Sequence, residues 1–245
     1  MINDMKRSTS PGINFFLIII TLIFLVIACN KNIDSAANKA YLSVTNISPD
    51  APPLDISFEG NKLNTLGQLA FDSTTGIPGD PYLTAIAGIH NLQLSSGSQI
   101  FVDGSIALQR THHYSLFVYD SLVNNDSLKR LILEDRLTAP VDTISLVRFL
   151  NFCDTSFYVV MLNSIDTIST IPQLKKIQPS SDPTSFLYSS IRSGTYQIYA
   201  AKDTTMAFNL DSLSVSGGKI YTVFITGNTQ STDPKALRRG LIQHN

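Results

Sequence analysis

The scarce reactive groups of this 245-residue chain are four histidines, two cysteines and two glutamates. A metal site needs several ligands converging on one point, and His90, His112, His113 and His244 are poorly spaced for that. His112 and His113 are adjacent, and neighbouring strand residues face opposite ways, so they do not share an ion. Asp120–Asp126 (DSLVNND) has acids six apart but lacks the glycine and closing glutamate of a calcium loop. It reads as a polar hairpin loop. Ser216–Lys219 (SGGK) ends like a phosphate loop, but Leu213 stands at the first glycine, Ile220 follows the lysine, and the next segment is a strand. Glutamate occurs only at 59 and 134, which leaves the paired acids of a glycosidase to aspartate. Cys153 has Asp154 beside it and no positioned base in its sequence neighbourhood. An acid there opposes thiolate formation, so Cys153 is expected to be a small core residue. The expectation is no catalytic residue, no metal and no cofactor.

One pattern of reactive groups exceeds chance. Nine of the 17 aspartates are followed by Ser or Thr, and eight of those nine continue with Ala, Leu, Ile or Thr. The hydroxyl positions are Ser35, Ser73, Ser121, Ser127, Thr143, Thr167, Thr204 and Ser212. The pattern resembles an Asp-Ser/Thr-aliphatic sequon for O-glycosylation in one Gram-negative phylum, which makes these eight candidate sites. Turn chemistry alone also favours Asp beside Ser or Thr, through local hydrogen bonds to the backbone.

Cys29 carries a different chemistry. Lys6 and Arg7 precede Phe15–Ala28, fourteen residues in which Thr21 is the one polar member. A spanning helix needs about 20 apolar residues, so this run fits the core of an export signal. The run stops at Val26–Cys29 (VIAC), which resembles the lipobox of bacterial lipoproteins. The resemblance implies cleavage ahead of Cys29 and acylation of that cysteine, which becomes residue one of the mature chain. Each buried CH₂ contributes about 0.8 kcal/mol, and more than one chain gives a stable anchor. Residues 1–28 are then a signal peptide and 29–39 a polar tether. The expected address is the cell envelope, lipid-anchored at the outer membrane, with its face undetermined.

The body after the tether must be positioned by strands. Net charge is −1, which gives no electrostatic case for a nucleic-acid partner. Short runs rich in β-branched and aromatic residues occur at 41–47, 54–59, 82–86, 89–94, 99–103, 113–119 and 129–134. The chain then repeats itself in order. Val44–Asp50 (VTNISPD) answers Phe149–Asp154 (FLNFCD), and Ala87–Gln93 (AGIHNLQ) answers Ser193–Tyr199 (SGTYQIY). His112–Val118 (HHYSLFV) answers Lys219–Ile225 (KIYTVFI), and Leu128–Leu133 (LKRLIL) answers Leu237–Ile242 (LRRGLI). A repeat of that length is a duplicated domain, not a solenoid. The expected fold is all-β: two tandem immunoglobulin-like β-sandwich modules, at 40–139 and 140–245, divided near Thr138–Asp142.

Asn46–Pro52 (NISPDAP), Leu54–Gly60 (LDISFEG) and the Ala87-Gly88 turn resemble the bacterial envelope domain known as domain of unknown function 4397. The resemblance covers the first module. The second lacks the Ser-Pro and Ala-Pro pieces and is tied to it by the repeat. It implies β-sandwich modules on secreted proteins and lipoproteins, and it carries no established catalytic residues.

The functional expectation is a non-enzymatic envelope lipoprotein, a binding or spacer body held to the membrane through Cys29, with a glycan or an envelope protein as partner. A glycan-binding accessory protein is the alternative, with Tyr82, Tyr119, Tyr188 and Tyr199 as stacking faces. A hydrolase with an Asp-based site is a third and weaker reading.

Overall fold

The computed structural model describes residues 38–120, 122, 128–163, 167–178, 180–202, 205–228 and 236–245. The export signal, Cys29, and the candidate sites Ser35, Ser121, Ser127 and Thr204 lie outside them. Lys39–Asn245 forms one compact unit.

The unit is an all-β stack of four sheets. In the first half the strands are β1 (Lys39–Asn46), β2 (Asp55–Phe58), β3 (Asn61–Lys62), β4 (Ser73–Thr74), β5 (Leu83–Ile86), β6 (Gly88–Ser96), β7 (Gln99–Leu108), β8 (His113–Tyr119) and β9 (Lys129–Asp135). The second half has β10 (Ile144–Asn151), β11 (Phe157–Leu162), β12 (Thr167–Leu174), β13 (Ser189–Arg192), β14 (Gly194–Lys202), β15 (Thr205–Val215), β16 (Ile220–Thr226) and β17 (Arg238–Gln243). Every run expected in the first half falls on a strand. The two-residue β3 and β4 are additions, too short to carry a period.

Both halves close in the same way. The outer sheets run β3-β2-β6-β7 and β12-β11-β14-β15. The inner sheets run β4-β1-β8-β9, with β5 also on β1, and β13-β10-β16-β17. Antibody constant domains place strands A, B, E and D together. Here the first strand leaves the second and joins the last two. It pairs in parallel with the penultimate strand, Asn46 opposite Val118 in one half and Asn151 opposite Ile225 in the other. β1 and β10 have the same length and the same residue-by-residue burial pattern.

Each half has its own core. Leu42, Val44, Ile56, Leu92, Leu94, Leu116 and Val118 fill the first. Val147, Phe149, Val159, Ile198, Val223 and Ile225 are among those filling the second, with Cys153 fully buried beside them. A third cluster lies between the inner sheets: Phe117, Leu131, Leu133, Leu150, Phe224 and Ile242 are among its buried members. Strands β8 and β16 are therefore covered on both faces. Tyr114, Leu116 and Val118 face one core while Phe117 and Tyr119 face the junction.

Local hydrogen bonds recur at matching places. Asn46 Oδ1 accepts from Ser48 N at 3.1 Å, and Asn151 Oδ1 accepts from Cys153 N at 3.0 Å. The Nδ2 groups of the same two residues donate to Leu69 O and Leu174 O. Tyr114 Oη accepts from Gln109 N, and Tyr221 Oη accepts from Ser216 N. The asparagine at the head of NISPDAP thus staples the end of the first strand to the loop that follows it.

Candidate functional site

The densest polar chemistry sits inside the junction. β9 delivers Asp135, β8 Ser115, β10 Arg148 and β16 Thr222; His244 follows β17, while Tyr82 and Tyr188 precede β5 and β13. Asp135 and Arg148 are almost fully buried, and Arg148 Nη2 meets Asp135 Oδ1 at 2.6 Å. Such a pair persists only when the remaining lone pairs and protons find partners. Tyr82 Oη and Ser115 Oγ donate to Asp135 Oδ2 at 2.9 and 2.6 Å. Tyr188 Oη donates to Oδ1 at 3.3 Å. Arg148 donates to Thr222 Oγ1 from Nε and Nη2, and to Glu134 O from Nη1. Its guanidinium lies 4.8 Å from the Tyr188 ring centroid.

His244 closes the circuit. Its Nδ1 is 2.7 Å from Tyr82 Oη, and its Nε2 is 2.8 Å from Thr222 Oγ1. Tyr82 gives its proton to Asp135, so Tyr82 accepts from His244 Nδ1–H. Nε2 then accepts from Thr222. The ring is neutral, because burial pulls its pKa down to about 4; Asp135 opposes that fall and Arg148 assists it. Burial, with Asp135 beside it, drives the Tyr82 phenol far above its ordinary range. Every polar group in the ring is engaged by another.

A cleft of ≈ 290 Å³ opens at one end of the same junction. Matching segments of the two halves line it: Ile47 and Pro49 after β1, Phe152 and Asp154 after β10, Tyr119 ending β8, and Thr226 ending β16. Lys176, Ile177, Gln178, Gly227, Asn228 and the Asp120–Lys129 ion pair complete the wall. The Tyr119 and Phe152 rings are 5.1 Å apart. Tyr119 is 5% exposed, and its hydroxyl is closed to solvent with no hydrogen-bond partner among the described residues. Burial, then Asp120, pushes that phenol up to about 12.

The residues singled out by sequence are scattered. Ser73 is half-buried in β4 and its Oγ donates to Ala70 O at 2.5 Å. Thr143 is exposed in the turn before β10, and Ser212 is exposed in β15. Thr167 begins β12. Cys153 is inaccessible, and burial first, then Asp154, drives its thiol well above the ordinary value. His112 and His113 part company as strand neighbours do. His112 Nδ1 meets Glu134 Oε1 at 2.8 Å, while His113 stacks on Tyr41 with centroids 4.4 Å apart. Among the described residues no three His, Cys, Asp or Glu side chains gather as metal ligands would. Tyr82 and Tyr188, expected as stacking faces, belong to the junction ring; Tyr199 is half-buried on β14.

The junction itself went unread in the sequence. Its signals were there: β8 and β16 are apolar on both faces, as a doubly covered strand must be. Arg148 also interrupts an otherwise apolar strand, Leu146–Leu150, which marks a charge that needs a buried partner.

Paired inner and outer sheets around separate cores define a β-sandwich protein. The family model described as Domain of unknown function (DUF4397) matches residues 40–157. The match spans β1 to β10 and ends at the first residue of β11. No curated protein matches the chain.

Proposed function

We propose that the chain is a non-enzymatic lipoprotein of the bacterial cell envelope, anchored through Cys29, whose body is two copies of one sandwich module joined back to back. The observation that carries this reading is the junction. The titratable groups that converge in it, Asp135, Arg148, His244, Tyr82 and Tyr188, bond to one another and hold the halves together. Their work is structural, which suits a spacer or a display body with loops at its ends. The repeated asparagine staple and the matching parallel strand pair support duplication.

The test is protease shaving of intact cells, followed by antibody to the body, beside incorporation of labelled fatty acid. The wild-type chain should take up label and fractionate with membranes, and Cys29→Ala should do neither. Equal labelling of the two chains would end the lipoprotein reading. Shaving then assigns the face: loss of signal from whole cells places the body outside, protection until the outer membrane is broken places it in the periplasm. A second reading, glycan capture, is favoured by the cleft.

A further inference from the structure

We propose that the end of the body where the tether enters is a membrane-facing surface, which docks on anionic phospholipid and points the cleft away from the bilayer. This rests on the lipoprotein reading above and adds an orientation to it.

The sheet topology gathers that end. β1 runs parallel to β8, and β10 to β16. The far ends of all four strands reach the cleft. Their first residues therefore share the opposite end, and Lys39 opens β1 there. Cys29 lies ten residues earlier. A chain of that length spans at most about 35 Å. β1 is eight residues long, about 26 Å of strand. Setting the cleft end on the bilayer would draw the tether almost straight. Setting the Lys39 end there leaves chain to spare and holds that face at roughly millimolar effective concentration. Weak contacts then suffice.

The face offers apolar groups to the bilayer. Ile86 ends β5 and Ile89 is the second residue of β6, 49% and 78% exposed. Ile86 is the register partner of Lys39, so the pair stands beside the tether's entry. The corner is built: His90 Nε2–H donates to Ile86 O at 2.8 Å. The second half makes the same corner, with Tyr196 Oη donating to Arg192 O at 2.7 Å. There the exposed positions hold Arg192 and Thr195, which suit water. The first half places isoleucine at both. Val141, 65% exposed ahead of β10, adds a third apolar side chain at this end. Exposed apolar groups rimmed by polar ones mark a contact surface.

The rim is basic. Arg110, Arg136 and Arg192 are exposed, and none of them forms an ion pair among the described residues. Thr111 N donates to Lys39 O at 2.7 Å, which sets Arg110 beside the tether. Arg136 follows Asp135, which pairs with His113 at the start of β8. Lys39 and Lys219 are half-buried at the same end. The acids there are Glu134, whose carboxylate meets His112, Asp142, and Asp80, which acts on His113. The bases outnumber them. Arginines around exposed isoleucines fit an anionic headgroup layer over acyl chains.

The chain holds no tryptophan, so one introduced indole reports alone. The full acylated chain is reconstituted from detergent into phosphatidylethanolamine–phosphatidylglycerol vesicles carrying brominated acyl chains. Ile89→Trp should be quenched and shifted to the blue. Leu66→Trp should behave as in water; its exposed loop leads to Leu69, tied to Asn46 at the far end of β1. Replacing Arg110, Arg136 and Arg192 by Gln should lower the docked-to-free ratio about fivefold for each. Equal quenching of the two reporters overturns the proposal. So does an unquenched Ile89→Trp, or quenching that survives the triple replacement in full. A blue shift that follows protein density and not bromine would make the face a contact between copies, and overturns it too. Intact mass reads acylation separately. A chain without lipid ends the lipoprotein reading, and coupling that chain through Cys29 to maleimide lipid still tests the face.

Discussion

Asp135 and His244 stand 3.8 Å apart across the junction, at matching positions of the two halves. Asp135 pairs with His113 at the start of β8, and His244 N donates to Ile220 O at the start of β16. Their neighbours match too: Tyr82 and Tyr188 precede β5 and β13, and Ser115 and Thr222 are the third residues of β8 and β16 by register. The symmetry breaks at β1 and β10, where Arg148 occupies the place held by Ser43. That serine's hydroxyl is buried without a hydrogen-bond partner among the described residues. One half thus supplies the acid, the other the base.

Removing the acid should be costly. Asp135→Asn leaves Arg148 buried without its counter-charge, and breaking one side of such a pair costs about 3–5 kcal/mol. A loss of unfolding free energy of less than a third of that, read from denaturant titration, would show that solvent reaches Arg148. The double variant Asp135→Asn/Arg148→Met should recover part of the loss, which a double-mutant cycle reads directly.

Stability should fall with acid in a defined window. The folded His244 has a pKa of about 4 against 6.5 for a free imidazole, so the unfolded chain binds more protons between those values. The linkage slope is then positive: stability is full above pH 6.5 and is lost as pH falls to about 4, by on the order of 3 kcal/mol. His113, also depressed chiefly by burial, adds in the same direction. Urea midpoints at a series of pH values check this, and His244→Gln should flatten the slope.

Gly240 of β17 lies opposite Phe224 of β16. A Cβ on Gly240 would lie 2.0 Å from Phe224 Cζ. Gly240→Ala must therefore push the Phe224 ring out of its edge contact with Phe117, 6.0 Å between centroids. Overpacking of this kind costs about 1–3 kcal/mol. A thermal melt of Gly240→Ala indistinguishable from that of the parent would mean the ring rotates aside without loss.

The Cys153 thiol should stay silent in the folded protein. It is fully buried, and its raised pKa keeps it protonated. In a Cys29→Ala background, a thiol reagent should label it only at the rate at which the chain opens. Rapid labelling under native conditions would place Cys153 near the surface.

Modification, if the Asp-Ser/Thr pattern marks it, should follow exposure. Thr143 and Ser212 are accessible, whereas the Ser73 hydroxyl is held by Ala70 O. Peptide mass mapping of the protein from its native host should show added hexose mass at Thr143 or Ser212 before Ser73. An intact mass equal to peptide plus lipid removes glycosylation altogether.

The strands were legible because each expresses a local rule. Tyr114, Leu116 and Val118 alternate with Ser115, Phe117 and Tyr119, and that period fixed β8 within its observed bounds. Gly88 and Gly194 were legible as landmarks because they are backbone-determined: each begins a strand at positive φ, where a Cβ is strained. The site was not, because it is made by distance. Tyr82 and His244 are 162 residues apart, and nothing local to either announces the other. The cleft is hidden for the same reason: Tyr119 reads as one more strand residue until Phe152 arrives beside it.

The unlike partners in the junction have a consequence for ancestry and assembly. On the reading that the halves are copies, a single module would have buried the Phe117 face against a second molecule of itself. The present junction is then a dimer interface folded into one chain. Two first halves would set Asp135 near Asp135 with Ser43 in the place of Arg148, and two second halves would bring Arg148 toward Arg148. Neither half can satisfy a copy of itself, so the unlike half is the partner that fits, and pairing between like halves of separate molecules is disfavoured while they fold.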